Sequence, residues 1–267
     1  NYIPPLVSIG IPTFNRSDTL VKCLESVLRQ TYKNIEVIVS DNMSSDSTPD
    51  VCQEFENRDS RVKTWRQASN IGGIPNFHFV RKKAQGNYFM LLGDDDWIDP
   101  NLIQSCVQFL ESNSDYIAAG GRTFYYREDG VKFEGASLSI GSDTPGIRVL
   151  DTISSVIDGG LFYALYRAEP ANQIPYIEAW GSDYYFLFEA AFLGKIETLQ
   201  NVACHRIDNS HKISINEYLR SSGIVSRQDL DPYGTIASVF FWRIVATRNI
   251  FKQLENWDRL QLAANAV

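Results

Sequence analysis

The sequence has few cysteines, and they follow none of the patterns of a stapled or metal-bound protein. Its 267 residues include four cysteines, and no pair has metal-ligand or redox spacing. Cys23, Cys52 and Cys106 fall on apolar helical faces, so we expect reduced thiols inside a core. Because reduced cysteines are typical of the cytoplasm, we predict a cytoplasmic location.

Long apolar runs and basic clusters are missing as well. No stretch reaches about 18 apolar residues, and the Asn1 end shows no signal-peptide pattern, so we expect no membrane span. The formal net charge is -7, without a cluster of Lys and Arg. A surface that tracks phosphates needs such a cluster, and we therefore predict no nucleic-acid partner.

Glycine-rich phosphate loops are also absent. Neither Gly-x-Gly-x-x-Gly nor Gly-x-x-x-x-Gly-Lys-Ser occurs, so neither a dinucleotide-binding motif nor a P-loop is indicated. What the chain does have is 44% hydrophobic residues. That content and length predict a large core, in one α/β domain or in a domain with an appendage.

Apolar runs typical of buried strands alternate with helical patterns in the first hundred residues. The runs end near Pro12, Asp41, Trp65 and Gly93. This alternation predicts a Rossmann-like, mostly parallel sheet flanked by helices. Since such sheets bind ligands beyond the carboxyl ends of their strands, we expect the polar loops there to form one cleft for a nucleoside and a metal-bound phosphate.

Three consecutive aspartates, Asp94, Asp95 and Asp96, end the last of these runs. Neighbouring carboxylates repel one another, and a hard cation such as Mg²⁺ or Mn²⁺, completed by substrate phosphates, would remove the repulsion. The alternative is a solvated acidic loop that caps the next helix. Asp99, just before Pro100, has the sequence of such a cap, and we expect it to be structural.

A second informative stretch precedes the helical pattern that begins near Ser182. Asp183 is interpreted either as a first-turn carboxylate favoured by the helix dipole, with Ser182 as cap, or as a functional residue. Upstream, residues 158–164 have the composition of a strand that re-enters the cleft.

Together, these segments resemble the inverting family 2 glycosyltransferases with the GT-A fold. The matching pieces are VSIGIPTFNR, EVIVSDNMSSDST, the Asn-x-Gly turn at 70–72, and GNYFMLLGDDDWIDP. Each is weak alone, but their order and spacing are specific. The resemblance implies metal-dependent transfer of a sugar from a nucleoside-diphosphate sugar to a hydroxyl of a saccharide or lipid-linked saccharide, in cell-surface polysaccharide synthesis.

The resemblance also implies roles for individual residues. The nucleotide-binding candidates are Pro12, Thr13, Asn15, Asp41, Asn70, Gly72 and Asp94. Asp95 would bind Mn²⁺ or Mg²⁺, Asp183 would be the general base, and Trp180 would offer the acceptor sugar a flat face or, alternatively, anchor the loop. Gly93 stands where the family commonly has its first aspartate.

A metal or diphosphate contact is also implied near the end of the matching region. The candidates are His205, Asp208 and His211, of which His211 is favoured because it lies in the more polar loop. The other histidine, His78, is expected to be structural.

The expected organisation is a GT-A domain over 1–212, with a nucleotide-binding half at 1–100 and an acceptor-side half at 101–212. A C-terminal helical extension would follow over 213–267. Its helix either packs on the domain or docks on a membrane or partner, with Trp242 and Arg243 at its edge. Rival functions are a sugar-phosphate nucleotidyltransferase and a non-catalytic nucleotide-sugar-binding module.

Overall fold

The computed structural model describes residues 3–155, 158–175, 177, 181–208, 232–246, 251, 254 and 256–265. Within these residues the strands are β1 Val7–Thr13, β2 Ile35–Asp41, β3 Val62–Arg66, β4 Tyr88–Leu91, β5 Trp97–Ile98, β6 Tyr116–Tyr126, β7 Lys132–Glu134, β8 Ser139–Ile140, β9 Leu165–Arg167 and β10 Lys195–Ile207. The α-helices are α1 Ser17–Leu28, α2 Thr48–Arg58, α3 Gly73–Lys83, α4 Leu102–Ser112, α5 Pro145–Ser155, α6 Ala168–Ala171, α7 Ser182–Leu193, α8 Pro232–Ala246 and α9 Asn256–Asn265.

The described strands form one sheet with the order β3-β2-β1-β4-β9-β6-β10-β5, in which β7 also pairs with β6 and β8 with β10. Strands β1 to β4 are parallel, and so are β6 and β10. Strand β9 runs antiparallel to both its neighbours, and β5 runs antiparallel to β10. The predicted mostly parallel sheet flanked by helices is therefore confirmed.

Helices cover both faces of the parallel half. On one face, α1, α2 and α4 bury leucines, valines and cysteines against β1 and β4. On the other face, α3 lies so close to β1 that a β-carbon on Gly10 would stand 2.8 Å from Cγ2 of Val80. Each buried Val, Leu or Phe side chain contributes roughly 1.5–3 kcal/mol of transfer free energy. Two buried faces explain why these strands are nearly continuous apolar runs.

The cysteines follow the prediction. All four are free and buried, Cys204 on β10 included. Among the described residues, no helix combines the length and the apolar character needed to cross a bilayer.

The described C-terminal helices pack on the domain. Phe240 and Ile244 of α8 and Leu262 of α9 belong to one buried cluster with Tyr185 and Phe188 of α7. The packed alternative is thus confirmed for this part of the chain. Arg243, which the docking alternative placed at the helix edge, instead forms an ion pair with the buried Glu189 of α7. The boundary expected at residue 212 lies outside the described residues and stays a prediction.

Three local predictions are wrong. Residues Gly160–Tyr163 form a 3-10 turn, and the strand follows it as β9. Helix α4 begins at Leu102 without a side-chain cap, because the Asp99 carboxylate accepts hydrogen bonds from Ala203 N and His205 Nε2 of β10 instead. Helix α7 already includes Ser182, and its N-terminal cap position is Gly181 at φ 78°.

Candidate active site

The loops that follow β1, β2 and β3 are joined at one edge of the sheet. Asn15 N donates to Ser44 Oγ at 2.8 Å, and Ile71 N donates to Asn42 Oδ1 at 2.9 Å. The β1 loop also reaches the acidic loop after β4, since Phe14 N lies 3.4 Å from Asp94 Oδ2. The four polar loops therefore form one rim, as predicted from the parallel sheet.

Asp41 ends β2, and one of its two carboxylate oxygens accepts no hydrogen bond within the described part of the chain. Oδ1 accepts a hydrogen bond from Ser44 N at 2.9 Å. Oδ2 is buried and accepts no hydrogen bond from the described part of the chain, although Nη1 of Arg66 lies 3.2 Å away. A buried acceptor of this kind costs free energy unless a donor reaches it. The N–H of a nucleotide base is such a donor.

Other predicted nucleotide-binding residues shape this rim through contacts within the protein. Asn15, at φ 52°, accepts a hydrogen bond from Ser45 N through Oδ1. Asn70 Oδ1 accepts from both Asn42 Nδ2 and Gly72 N at 2.9 Å. Gly72 has φ 87°, a conformation that favours glycine, and it stands at the N-terminal cap position of α3.

Pro12 and Thr13 lie beneath the polar loops, at the carboxyl end of β1. Both residues are buried at the end of β1 and pair with Ser40 and Asp41 of β2. The structure therefore brings the β1 candidates next to Asp41. Their contact with a nucleotide stays a prediction.

The three aspartates of the acidic loop (94–96) have different surroundings. Burial and the neighbouring charge of Asp95 raise the pKa of Asp94 to about 7, against the effect of the Thr13 hydroxyl. Burial also raises the pKa of Asp96 to about 6, although Arg206 opposes the shift. Asp95 has a side chain that is 18% exposed, and its ion-pair partner, Arg16 Nη2, lies 3.8 Å away. Asp95 is thus more accessible to a new ligand than Asp96, whose side chain is 2% exposed.

The donor set fits a divalent cation that is shared with a substrate. In the part of the chain that the structure describes, no three His, Cys, Asp or Glu side chains are grouped to hold a metal alone. Mg²⁺ is commonly bound by one or two carboxylates together with water and substrate phosphates. Asp95, with Asp94 beside it, supplies carboxylates of this type.

Gly93 makes the acidic loop compact. A β-carbon at this position would stand 2.7 Å from Oδ2 of Asp96. The Asp96 carboxylate therefore occupies the space that a side chain at 93 would need. A side chain at 93 would therefore have to displace the Asp96 carboxylate from its contacts with β10.

Asp183 lies in the first turn of α7, and its carboxylate contacts the turn before β9. A β-carbon on Gly159 would stand 2.8 Å from Asp183 Oδ2. Burial raises the pKa of Asp183, while the Tyr184 and Asp183 backbone N–H groups and the Arg206 charge lower it. A carboxylate with raised proton affinity is suited to accept a proton.

Tyr163 and Arg206 connect the acidic loop with Asp183. The Arg206 Cζ lies 4.0 Å from the Tyr163 ring centroid, and its Nε donates to Asp96 Oδ2 at 3.0 Å. The charges of Arg206, Asp96, Asp183 and Asp95 all act on the Tyr163 hydroxyl. The structure thus gathers the predicted metal side and the predicted base side around one pair of residues.

Two of the three candidates near the end of the matching region have hydrogen-bond partners within the protein, and their role toward a metal stays a prediction. His205 has Asp99 Oδ1 at 3.0 Å from Nε2 and the Tyr126 hydroxyl at 3.0 Å from Nδ1, and its ring stacks on Trp97. Asp208 accepts from Arg127 Nε at 2.6 Å. His211 and Trp180 lie outside the described residues, so their roles stay predictions.

Sequence reasoning missed Arg66, Tyr163 and Arg206. Arg206 is next to His205, a candidate because the resemblance implies a His or Asp at about this place. Alternation along a strand sends neighbouring side chains to opposite faces of a sheet. That rule was a usable signal: if His205 faces away from the cleft, Arg206 faces it.

The residues from 8 to 174 match the model of glycosyl transferase family 2, and the chain belongs to that family. It is 27% identical over 178 residues to glycosyltransferase GlyA of Streptococcus pneumoniae, and the aligned region covers 67% of this chain and 24% of GlyA. It is also 27% identical over 180 residues to the GalNAc(5)-diNAcBac-PP-undecaprenol beta-1,3-glucosyltransferase of Campylobacter jejuni, covering 67% of this chain and 57% of that enzyme. The chain thus spans less than two thirds of both relatives.

Solved structures show the same fold. S. aureus TarS in complex with UDP-GlcNAc superposes with a TM-score of 0.65 at 17% identity, over 97% of this chain and 71% of that one. The Pyrobaculum calidifontis mannosyltransferase PcManGT, in complex with GDP-Man and Mn²⁺, superposes with a TM-score of 0.57 at 15% identity, over 99% of this chain and 74% of that one. The expected GT-A fold is confirmed.

Proposed function

We propose that this chain transfers a sugar from a nucleoside-diphosphate sugar to a hydroxyl of a saccharide or lipid-linked saccharide, with inversion at the anomeric carbon. The observation that carries the proposal is the convergence of the acidic loop and Asp183 around Tyr163 and Arg206, on the rim that also holds Asp41. A nucleotide seated at Asp41 would extend its diphosphate toward the acidic loop. The transferred sugar would then face Asp183.

The donor is bound by groups on the β1 to β4 loops. Asp41 Oδ2 accepts a hydrogen bond from the base, and Thr13 and Asp94 line the ribose and diphosphate path. Asp95 would hold Mn²⁺ or Mg²⁺, with His211 as the candidate further ligand. When bound, the cation neutralises charge that develops on the leaving diphosphate.

Asp183 acts on the acceptor. Its carboxylate takes the proton of the acceptor hydroxyl as the oxygen attacks the anomeric carbon and the carbon–diphosphate bond breaks. Attack from the face opposite the diphosphate inverts the anomeric centre, so no covalent intermediate forms. Burial of Asp183 supports this role because it raises the pKa of the carboxylate and so strengthens it as a base.

The acceptor is proposed from the relatives. The Campylobacter jejuni enzyme is named for an undecaprenol-linked saccharide. A lipid-linked acceptor places the reaction at the inner face of the membrane in cell-surface polysaccharide synthesis. Exposed Trp242 on α8, with 61% of its surface accessible, is a candidate for peripheral membrane contact.

The rival functions lack support at this site. A sugar-phosphate nucleotidyltransferase is expected to have a Gly- and Arg/Lys-rich loop after β1, and the loop here is Phe14-Asn15-Arg16. A non-catalytic binding module would have no need for a carboxylate buried at the position of Asp183. Transfer therefore explains more of the site than either rival.

A donor-panel assay with mass detection tests the proposal. The protein is incubated with UDP- and GDP-sugars, Mn²⁺ and undecaprenyl-diphosphate-linked saccharide, with and without a chelator. We expect release of the nucleoside diphosphate, a product one sugar heavier and, by NMR, an inverted anomeric configuration. Pyrophosphate release would support the nucleotidyltransferase, and donor binding without turnover would support the binding module.

A further inference from the structure

The Asp96 carboxylate is held from one side by β10. Arg206 Nε donates to Oδ2 at 3.0 Å, and Ile207 N donates to Oδ1 at 3.2 Å. The Asp96 side chain is 2% exposed and that of Arg206 is 18% exposed. Because both oxygens of Asp96 are engaged, this aspartate is the anchor of the acidic loop, and it leaves Asp94 and Asp95 to meet a ligand.

The rest of the Arg206 guanidinium faces aromatic rings. Its Cζ lies 4.0 Å from the Tyr163 ring centroid and 5.6 Å from that of Tyr125. Tyr163 ends the 3-10 turn that follows Gly159, and Gly159 abuts the Asp183 carboxylate. Arg206 therefore contacts the acidic loop through Asp96 and, through Tyr163, the turn whose preceding residue, Gly159, packs against Asp183.

Few charged or titratable groups face Asp183 in the described part of the chain. They are Arg206 from β10, Tyr163 from the 3-10 turn and Tyr185 from α7 itself. Of these, Arg206 is the cation, and an arginine keeps its charge at every pH used in assays. Its charge lowers the pKa of Asp183, against the raising effect of burial.

We propose that Arg206 is a positioning residue that couples the two sides of the site: it anchors the acidic loop through Asp96 and presents its fixed positive charge to Asp183. If Arg206 were only a structural ion-pair partner, it would hold the acidic loop through Asp96 and have no effect on Asp183. The coupling rests on the proposed function, in which Asp183 is the base and the acidic loop meets the diphosphate.

The test measures the protonation of Asp183 without any substrate. Protein labelled with ¹³C at the aspartate carboxyl carbons is titrated by NMR, and the Asp183 signal is assigned by its loss in Asp183→Asn. In Arg206→Gln we expect the midpoint of this signal to rise by about one pH unit, at the lower end of the effect of a neighbouring charge. Arg206→Lys keeps the charge and is expected to titrate near the parent.

Two further variants keep the test decisive. Arg122→Gln breaks the ion pair between Arg122 of β6, the strand next to β10, and Glu134 of β7, and it is expected to leave the midpoint unchanged. If Arg206→Gln fails to fold, the double variant Asp96→Asn/Arg206→Gln removes the unpaired buried carboxylate and is expected to show the same rise. An unchanged Asp183 midpoint in a folded variant without Arg206 would overturn the proposal.

Activity adds a second, separable readout. In Arg206→Gln, the acidic limb of the kcat–pH profile is expected to move to higher pH together with the NMR midpoint, because less of the base is ionised at a given pH. Arg206→Lys is expected to restore the limb but not the full kcat, since an ammonium lacks the planar guanidinium that donates from Nε to Asp96 while it stacks on Tyr163. A parent protein without transferase activity would contradict the proposed function, and the NMR midpoints would still decide the role of Arg206.

Discussion

Gly159 leaves the space that the Asp183 carboxylate occupies: a β-carbon on Gly159 would stand 2.8 Å from Asp183 Oδ2. This relationship joins the turn before β9 to the first turn of α7. The obstructing atom is the end of a side chain that can rotate away. A methyl group at 159 is therefore expected to move the Asp183 carboxylate and leave the backbone in place.

The first prediction follows directly. Gly159→Ala is expected to lower kcat roughly 10²-fold, the effect of misplacing a reacting group by about 1 Å. Donor affinity should stay at the parent level. Gly141→Ala is the matched control, because a β-carbon there would meet its nearest atom at 3.9 Å. Steady-state kinetics of both variants are the measurement, and equal kcat in the two would contradict the assigned role of Asp183.

Asp183→Asn separates catalysis from helix stabilisation. As a general base, Asp183 is worth roughly 10²–10⁴-fold in kcat. Its folded-state pKa is raised, so the folded protein loses stability as pH rises through the range between the unfolded and folded pKa values, and the cost is fully present above the folded-state pKa. Asn carries no such cost, and we expect an unchanged or higher melting temperature.

The control for this variant is Asp50→Asn, which removes an exposed carboxylate from the first turn of α2. Its free energy of unfolding should fall by only about 0.3–1 kcal/mol, because the carboxylate no longer interacts with the helix dipole, and kcat should stay unchanged. An Asp183→Asn protein that melts earlier and transfers sugar at the parent rate would make Asp183 a helix-start residue.

Asp41→Asn tests the nucleotide pocket. The amide can keep an acceptor for Ser44 N while replacing the open Oδ2 with a donor group, which would repel a base N–H. We expect a loss of about 1–3 kcal/mol in donor binding by calorimetry, typical of a charge-assisted hydrogen bond. Asp46→Asn, which alters an exposed anchor of the same loop, is the control. Unchanged affinity in Asp41→Asn would place the base elsewhere.

Asp95→Asn tests the metal assignment. Without the Asp95 carboxylate, Mn²⁺ should no longer strengthen the binding of nucleoside diphosphate, and turnover should be abolished. Calorimetry with and without a chelator measures the first effect, and circular dichroism checks the fold. Asp18→Asn removes an exposed carboxylate from α1 and should behave as the parent. Metal-enhanced binding that persists in Asp95→Asn would rule this ligand out.

The ion pair between Glu189 and Arg243 ties α8 to the helix that carries Asp183. Their side chains are 1% and 13% exposed. Glu189→Gln alone leaves a buried cation, and we expect the free energy of unfolding to fall by about 3–5 kcal/mol. Glu189→Met/Arg243→Met should recover much of this loss in denaturant titrations. A single variant as stable as the parent would show that α8 is held by its apolar contacts alone.

Much of the nucleotide side could be predicted from the sequence because it depends on local patterns. Apolar runs with helical patterns between them determine a parallel sheet, and the carboxyl ends of parallel strands must share an edge. The positions of Asp41, Asn70 and the acidic loop followed from that topology without knowledge of any side-chain contact.

The acceptor side depended on contacts between residues far apart in the chain, which no local pattern encodes. His205 and Asp208 were candidates by residue type, yet Asp99, Tyr126 and Arg127 occupy them in the folded protein. Asp99 looked like a helix cap, but strand β10, about a hundred residues later, supplies its hydrogen-bond donors.

The sequence by itself determined the family, the mostly parallel sheet and the acidic loop, because these follow from periodicity and from short motifs in a fixed order. Only the tertiary structure decided that Arg206 pairs with Asp96 and that Gly159 makes room for Asp183. Both relationships join segments whose spacing in the sequence carries no information about distance, and they exist only once the sheet and α7 have packed together.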